Sequence, residues 1–97
     1  MSNVDVKWTQ TDTSSDVYII YSDGAIFAHI RNRFSVMSTV PGEYNLVMIR
    51  ANPSDAGLYV CDELNQTHGA RTILSQYYLT VPGKTFFTFG ALCNLLK

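Results

Sequence analysis

Hydrophobic and polar positions alternate along most of this chain, in short runs. Val4, Val6 and Trp8 share one face of VDVKWTQ (4–10), and LYVCDE (58–63) alternates in the same way. The other apolar runs are VYIIY (17–21), AIFAHI (25–30), RNRFSVMS (31–38), YNLVMI (44–49) and RTILSQYYLTV (71–81). Alternation with period two and enrichment in β-branched and aromatic residues are typical of strands. We predict about eight short strands and no helix.

Turn-forming sequences separate the runs. They are TDTSSD (11–16), the Asp23-Gly24 pair, VPGE (40–43), RANPSDAG (50–57) and LNQTHGA (64–70). Turn signals at intervals of roughly 8–12 residues are typical of an antiparallel β-sandwich or barrel. The fold class we expect is therefore all-β.

Composition and charge limit the classes of function. The chain has 97 residues, of which 46% are hydrophobic and 15% charged, so we expect one globular domain. The net charge is −1, and the seven Lys and Arg are scattered, which argues against nucleic acid as a partner. The apolar stretch 86–96 is too short for a membrane helix, so we expect no membrane insertion by this segment. MSNVDVKW does not resemble a signal peptide, which suggests an excised piece or a lost export signal.

One motif resembles a known family. Asp55-x-Gly57-x-Tyr59-x-Cys61 is similar to the D-x-G/A-x-Y-x-C signature of immunoglobulin variable-type (V-set) domains. Trp8 lies 53 residues before Cys61, a separation similar to that between the strand C tryptophan and the strand F cysteine. Leu46-x-Met48 resembles the L-x-I of strand E, and Arg33-Phe34-Ser35 the R-F-S of strand D. The resemblance covers residues 4–81 and strands C to G. It implies an immunoglobulin-like V-type sandwich over residues 1–81, followed by an apolar tail, 82–97.

The resemblance also implies structural roles. Trp8 would fill the centre of the sandwich, and Tyr59 would form a tyrosine corner with its hydroxyl bonded to the backbone. Gly57 would permit close backbone approach at that corner. Arg33 and Asp55 would form an ion pair at the base of the sandwich.

The chain departs from the family in three respects. Strands A and B, with the first cysteine, are missing before Trp8. Ala51 occupies a position that usually holds a larger aliphatic residue. The last strand lacks the F-G-x-G motif of antigen receptors, which weakens an antibody or T-cell receptor interpretation.

The tail is a candidate replacement for strand B. Without that strand, large apolar side chains of the core would face water at about 1.5–3 kcal/mol each. Read as a strand, the tail places Phe87, Phe89, Ala91, Cys93 and Leu95 on one face. Cys93 would then meet Cys61 in a disulfide, and the chain would be equivalent to a circularly permuted V domain. Two alternatives stay open: the tail pairs with a neighbouring chain, or it is an unrelated extension.

No arrangement of residues indicates catalysis, a metal or a cofactor. His29 and His68 are not expected to converge, and metal-ligand spacings are absent. No nucleophile motif accompanies the Ser, His and Asp residues, so we do not expect an enzyme. Asn65-Gln66-Thr67 is a sequon for N-glycosylation at Asn65.

Loops and aromatic residues give the remaining functional signal. The expected contact surface is the face formed by strands G, F, C, C′ and C″ together with the C′–C″ and F–G loops. Several aromatic residues, including Tyr78, lie on those strands. Some of these aromatic side chains must point into the core. The candidate ligand-binding residues are Tyr18, Tyr21, Asp23, Phe27, Asp62, Glu63, His68, Arg71 and Tyr77.

The function we expect is protein recognition outside the cell or at its surface. The chain would be an immune-type receptor or adhesion domain whose partner is a protein ligand or a like V domain. An alternative is a structural unit, for example a homodimer, that self-associates through an open edge or exposed face. A third hypothesis is an incomplete fragment without a function of its own.

Overall fold

The fold is described from a computed structural model, covering residues 4–22, 24–65, 69–82 and 88–94. Eight strands and two short 3-10 turns make up the secondary structure of these residues. The strands are β1 (Val4–Thr11), β2 (Val17–Ser22), β3 (Ala25–Ile26), β4 (Phe34–Met37), β5 (Asn45–Met48), β6 (Gly57–Asn65), β7 (Ala70–Leu79) and β8 (Phe89–Ala91). The predicted all-β class is confirmed.

The strands form two antiparallel sheets packed as a sandwich. The larger sheet has the order β3-β2-β1-β6-β7, and the smaller sheet the order β4-β5-β8. Trp8 at the middle of the larger sheet is completely buried, and its indole Nε1 donates to the carbonyl oxygen of Tyr44 at 2.7 Å. Leu46 and Met48 of the smaller sheet are also completely buried. The core therefore lies between the two sheets, around β1, β5 and β6.

The run 25–30 is shorter as a strand than its sequence predicts. β3 ends at Ile26, and residues Ala28–Ile30 form a 3-10 turn. The amide of Ile30 donates to the carbonyl of Phe27, and the Ile30 side chain packs against the core. The chain therefore leaves the edge of the larger sheet here and crosses towards β4.

The tail supplies the third strand of the smaller sheet. Ala91 and Phe89 of β8 pair with Leu46 and Met48 of β5. Ala91 and Cys93 are 1% exposed, whereas Leu92 between them is 67% exposed, so the chain alternates as the sequence predicts. The tail thus folds back within its own chain onto the edge of β5.

A disulfide joins the two sheets. Cys61 of β6 is bonded to Cys93, which follows β8, across a sequence separation of 32. Neither cysteine is free, and both are buried in the core. The disulfide therefore fixes the tail against the larger sheet at the centre of the sandwich.

Candidate functional site

A buried ion pair closes one end of the sandwich. The Arg33 guanidinium donates to both carboxylate oxygens of Asp55, at 2.8 and 3.1 Å. Asp55 follows Pro53 in a 3-10 turn and also accepts a bond from the Asn52 amide at 2.8 Å, so its carboxylate has main-chain and side-chain donors. The Asp55 side chain is 6% exposed and that of Arg33 is 23% exposed. Because every partner is internal, this pair serves the fold and offers little to a ligand.

The Tyr59 hydroxyl caps the same turn. It donates to the main-chain oxygen of Asp55 at 2.5 Å, and the ring packs 5.2 Å from that of Phe89. Burial, followed by the nearby charge of Asp55, raises the pKa of the Tyr59 hydroxyl well above its ordinary value, and Arg33 partly opposes the shift. The hydroxyl is therefore a neutral donor throughout the physiological pH range.

Gly57 lies where β6 passes close to β1. Its φ is +135°, and a Cβ atom built at this position would lie 2.1 Å from the carbonyl oxygen of Thr11 and 2.9 Å from the Cα atom of Asp12. A side chain there would collide with main-chain atoms. Glycine is thus required by the packing of the two central strands.

The outer face of the larger sheet carries an exposed apolar surface. One row across the strands contains Val17, Thr11, Leu58 and Tyr78. Val17 is 63% exposed and Tyr78 is 70% exposed. The extent of the apolar surface therefore depends on the residues of the adjacent row.

A second row extends this surface. It contains Ile19, Thr9, Val60 and Gln76, and Ile19 is 39% exposed. Leu58 and Val60 lie between the exposed side chains and are partly accessible. We name the surface formed by these two rows the outer apolar face: Val17, Ile19, Thr9, Thr11, Leu58, Val60, Gln76 and Tyr78.

Charged side chains border this face. Lys7 of β1 pairs with Asp62 of β6, and Asp62 pairs with Ile73 of β7. Asp62 forms an ion pair with Arg71, whose Nε donates to Asp62 Oδ1 at 2.8 Å. The face is therefore apolar at one end and carries both signs of charge at the other.

The aromatic candidates divide between two environments. Tyr21 and Tyr77 point into the sandwich, where Tyr21 contacts Tyr44 and Tyr77 contacts Trp8 at ring distances of 6.4 and 6.5 Å. Tyr18 and Phe27 are 51% and 45% exposed. Of the aromatic residues considered, only Tyr78 belongs to the outer apolar face. Glu63 pairs with Val6, which is buried, and therefore lies on the inner side of the sheet.

Tyr18 and Phe27 line a cleft at the β2 edge. The cleft has a volume of about 520 Å³ and reaches the Arg33–Asp55 pair. The neighbouring charges of Asp12 and Asp16 raise the pKa of the exposed Tyr18 hydroxyl. The cleft contains the ion pair and Asp12, and the hydrogen bonds of these groups are largely internal.

Several predicted residues lie outside the described residues. Asp23, His68 and the Gln66-Thr67 part of the sequon fall there. The structure places Asn65 at the end of β6 and describes nothing of its side chain, nor of that of His29. The roles of Asp23 and His68 in ligand binding and of Asn65 in glycosylation stay predictions.

No protein-family model and no curated protein matches the sequence. Within the described residues, no cluster of His, Cys, Asp and Glu could hold a metal ion. Among those residues there is also no helix long and apolar enough to cross a membrane.

The outer apolar face contains residues that the aromatic pattern did not identify. Val17, Ile19, Leu58 and Val60 lie there, although only aromatic and polar residues were named as candidates. The sequence does indicate that Leu58 and Val60 point outward, because they alternate with Tyr59 and Cys61, which were predicted to lie in the core. The sequence of β2 gives no such indication, because the register shift beside Trp8 changes which residues of β2 face outward.

Proposed function

We propose that this chain is an extracellular protein-recognition domain of the immunoglobulin V type, which binds a protein ligand through its outer apolar face. The observation that carries the proposal is the exposure of Val17 and Tyr78 on one row of the larger sheet, with Ile19 on the adjacent row. Isolated exposed apolar residues are ordinary, but neighbouring ones on one face mark interaction sites. The ion pair Asp62–Arg71 at the border would provide polar contacts around an apolar centre.

The V-type assignment has support from the strand order. V-type domains place strands C″, C′, C, F and G in one sheet and D, E and B in the other. The orders β3-β2-β1-β6-β7 and β4-β5-β8 correspond to these if β8 stands in the place of strand B. The disulfide beside Trp8 and the Tyr59 hydroxyl bond agree with the same assignment.

The extracellular assignment depends on the disulfide. Structural disulfides persist in oxidising compartments and are rare in the cytosol. β8 pairs with the edge of β5 opposite β4, and the Cys61–Cys93 bond ties the segment after β8 to the larger sheet. A domain that depends on this bond is suited to secretion or to the cell surface.

A binding array tests the proposal. The oxidised chain, displayed in multiple copies on beads, would be screened against purified secreted and cell-surface ectodomains. We expect at least one ectodomain to bind, and we expect the double variant Val17→Asp, Ile19→Asp to lose that binding. Met37→Asp is the matched control, since Met37 is 56% exposed but belongs to the smaller sheet. Failure of every ectodomain to bind, or equal binding by both variants, would contradict the proposal.

A further inference from the structure

β7 is a long edge strand with an open side. It has ten residues, Ala70–Leu79, and its ladder partner is β6. Among the described residues, no main-chain hydrogen bond joins β7 to any segment other than β6. Its sequence ARTILSQYYL contains no proline and only one charged residue, Arg71. Proline and charge are the usual protection of an edge strand, and β7 has little of either.

A register shift changes the order in which the side chains of β7 point inward and outward. The shift lies beside Cys61, which pairs with Ser75, while Asp62 pairs with Ile73, so that Leu74 is the additional residue. Leu74 packs against the core and Ser75 donates to the carbonyl of Leu92, so both neighbours point inward. The alternation is therefore interrupted at the middle of the strand.

The faces on each side of this interruption follow from the pairings. Towards the N-terminus, Ile73 and Arg71 point outward, and Thr72 lies on the inner side because its partner Glu63 pairs with the buried Val6. Towards the C-terminus, Gln76 and Tyr78 point outward, while Tyr77 and Leu79 point inward. The order of inner and outer positions is consequently the same when the strand is read from either end.

From this symmetry we infer that β7 pairs with β7 of a second copy of the chain, antiparallel and centred between Leu74 and Ser75. Directly opposite residues in a sheet must share a face. In this register Ile73 lies opposite Gln76, Arg71 opposite Tyr78, and Leu74 opposite Ser75, and each pair shares a face. A displacement of one residue in either direction places outward residues opposite inward ones. The bulge, which usually hinders edge pairing, here selects one register.

The charges of β7 agree with pairing of like chains. Arg71 is its only charged residue, and in this register it faces Tyr78 of the second copy rather than the second Arg71. The Arg71 guanidinium is already paired with Asp62 of its own chain, so its charge is balanced, and a guanidinium beside a tyrosine ring is a favourable contact. The two Arg71 positions are about 20 Å apart, well beyond the screening length at physiological salt. A two-fold interface of this kind joins the two larger sheets into one continuous sheet.

The test is sedimentation equilibrium of the oxidised full chain over a range of concentrations, with substitutions at Ile73 and Gln76. Both residues are exposed and point outward, so the fold tolerates their replacement. We expect the chain to form dimers. The variant Ile73→Lys, Gln76→Lys places like charges opposite each other at two positions and should weaken the dimer by roughly 2- to 30-fold.

A charge-swapped variant separates the register from a general effect of charge. Ile73→Lys, Gln76→Glu places opposite charges at the same two positions, and we expect it to dimerise at least as well as the unmodified chain. A chain that stays monomeric at all concentrations would overturn the inference, and so would equal dimerisation by the two variants. The ectodomain test uses β2 residues and does not depend on this outcome, because β2 is three strands from β7.

Discussion

The Tyr77 hydroxyl binds both main-chain polar groups of Leu92. It accepts from the Leu92 amide at 3.1 Å and donates to the Leu92 carbonyl oxygen at 2.8 Å. Ser75 donates to the same carbonyl at 2.9 Å. β7 and the segment after β8 belong to different sheets, so side-chain hydroxyls connect them where no main-chain ladder does. The contact between β7 and the segment after β8 therefore depends on the hydroxyl groups of Ser75 and Tyr77.

Replacement of Tyr77 by phenylalanine should destabilise the protein. The ring that packs on Trp8 is retained, while both hydrogen bonds to Leu92 are lost, at about 1–2 kcal/mol of unfolding free energy. Urea denaturation measures the change. Tyr78→Phe is the control, because Tyr78 is 70% exposed, and its effect should stay within about 0.5 kcal/mol. Equal losses in the two variants would mean that the Leu92 bonds contribute nothing.

Gly57→Ala should destabilise the protein far more than alanine at another strand glycine. The added Cβ atom would meet the Thr11 carbonyl oxygen, and alanine is strained at a φ of +135°. We expect a loss of roughly 2 kcal/mol or more in unfolding free energy. Gly90→Ala in β8 is the matched control, since a Cβ there has no atom within 4 Å. Thermal melting of both variants measures the difference, and equal melting temperatures would mean that residue 57 tolerates a side chain.

Removal of the disulfide should weaken the sandwich. The bond closes a loop with a separation of 32 residues, for which loop entropy predicts a stabilisation of about 3–4 kcal/mol. Guanidinium denaturation of the unmodified chain with and without reductant measures this contribution. The double variant Cys61→Ala, Cys93→Ala should be weakened by a similar amount and should no longer respond to reductant. If reductant leaves the unmodified chain unchanged, the cysteines are not paired in solution.

Stability should fall in alkali through Tyr59. The folded-state pKa of its hydroxyl is raised above the unfolded value of 10.0, so the folded state holds the proton more tightly. The stabilisation is complete below pH 10.0 and is lost as the pH rises towards the folded-state pKa. Tyr59→Phe should therefore lose less unfolding free energy above this pH than the unmodified chain does. If the unfolding free energies of the two proteins fall equally with rising pH, a group other than Tyr59 causes the alkaline sensitivity.

Alternation in the sequence was enough to predict the central strands. Trp8 and Cys61 lie opposite each other on β1 and β6, and Val6, Gln10 and Tyr59, two positions from one or the other, are buried. The tail was predictable for the same reason, since Ala91 and Cys93 are buried and Leu92 between them is exposed. What alternation left open was the partner of the tail, because a strand can pair equally well with its own chain or another.

The side of the sheet that a residue occupies was harder to predict for the outer strands. Register shifts beside Trp8 and Cys61 interrupt the alternation of β2 and β7 relative to the central strands. Tyr21 and Tyr77 consequently point inward although neighbouring tyrosines are exposed. A bulge leaves no clear mark in composition. The sequence therefore predicts the sheet that carries the candidate face, but it does not predict which side chains of β2 and β7 point outward.

The position of β8 constrains when this domain can fold during synthesis. β8 follows the other seven strands of the described residues, yet it pairs with Leu46 and is followed by Cys93, the disulfide partner of Cys61. A ribosome releases β1 to β7 before residues 89–93, and until those residues emerge the β5 edge has no partner. Closure of the sandwich therefore comes after translation of the strands is complete. A nascent chain stalled before Cys93 would expose its core to chaperones and could not form its disulfide.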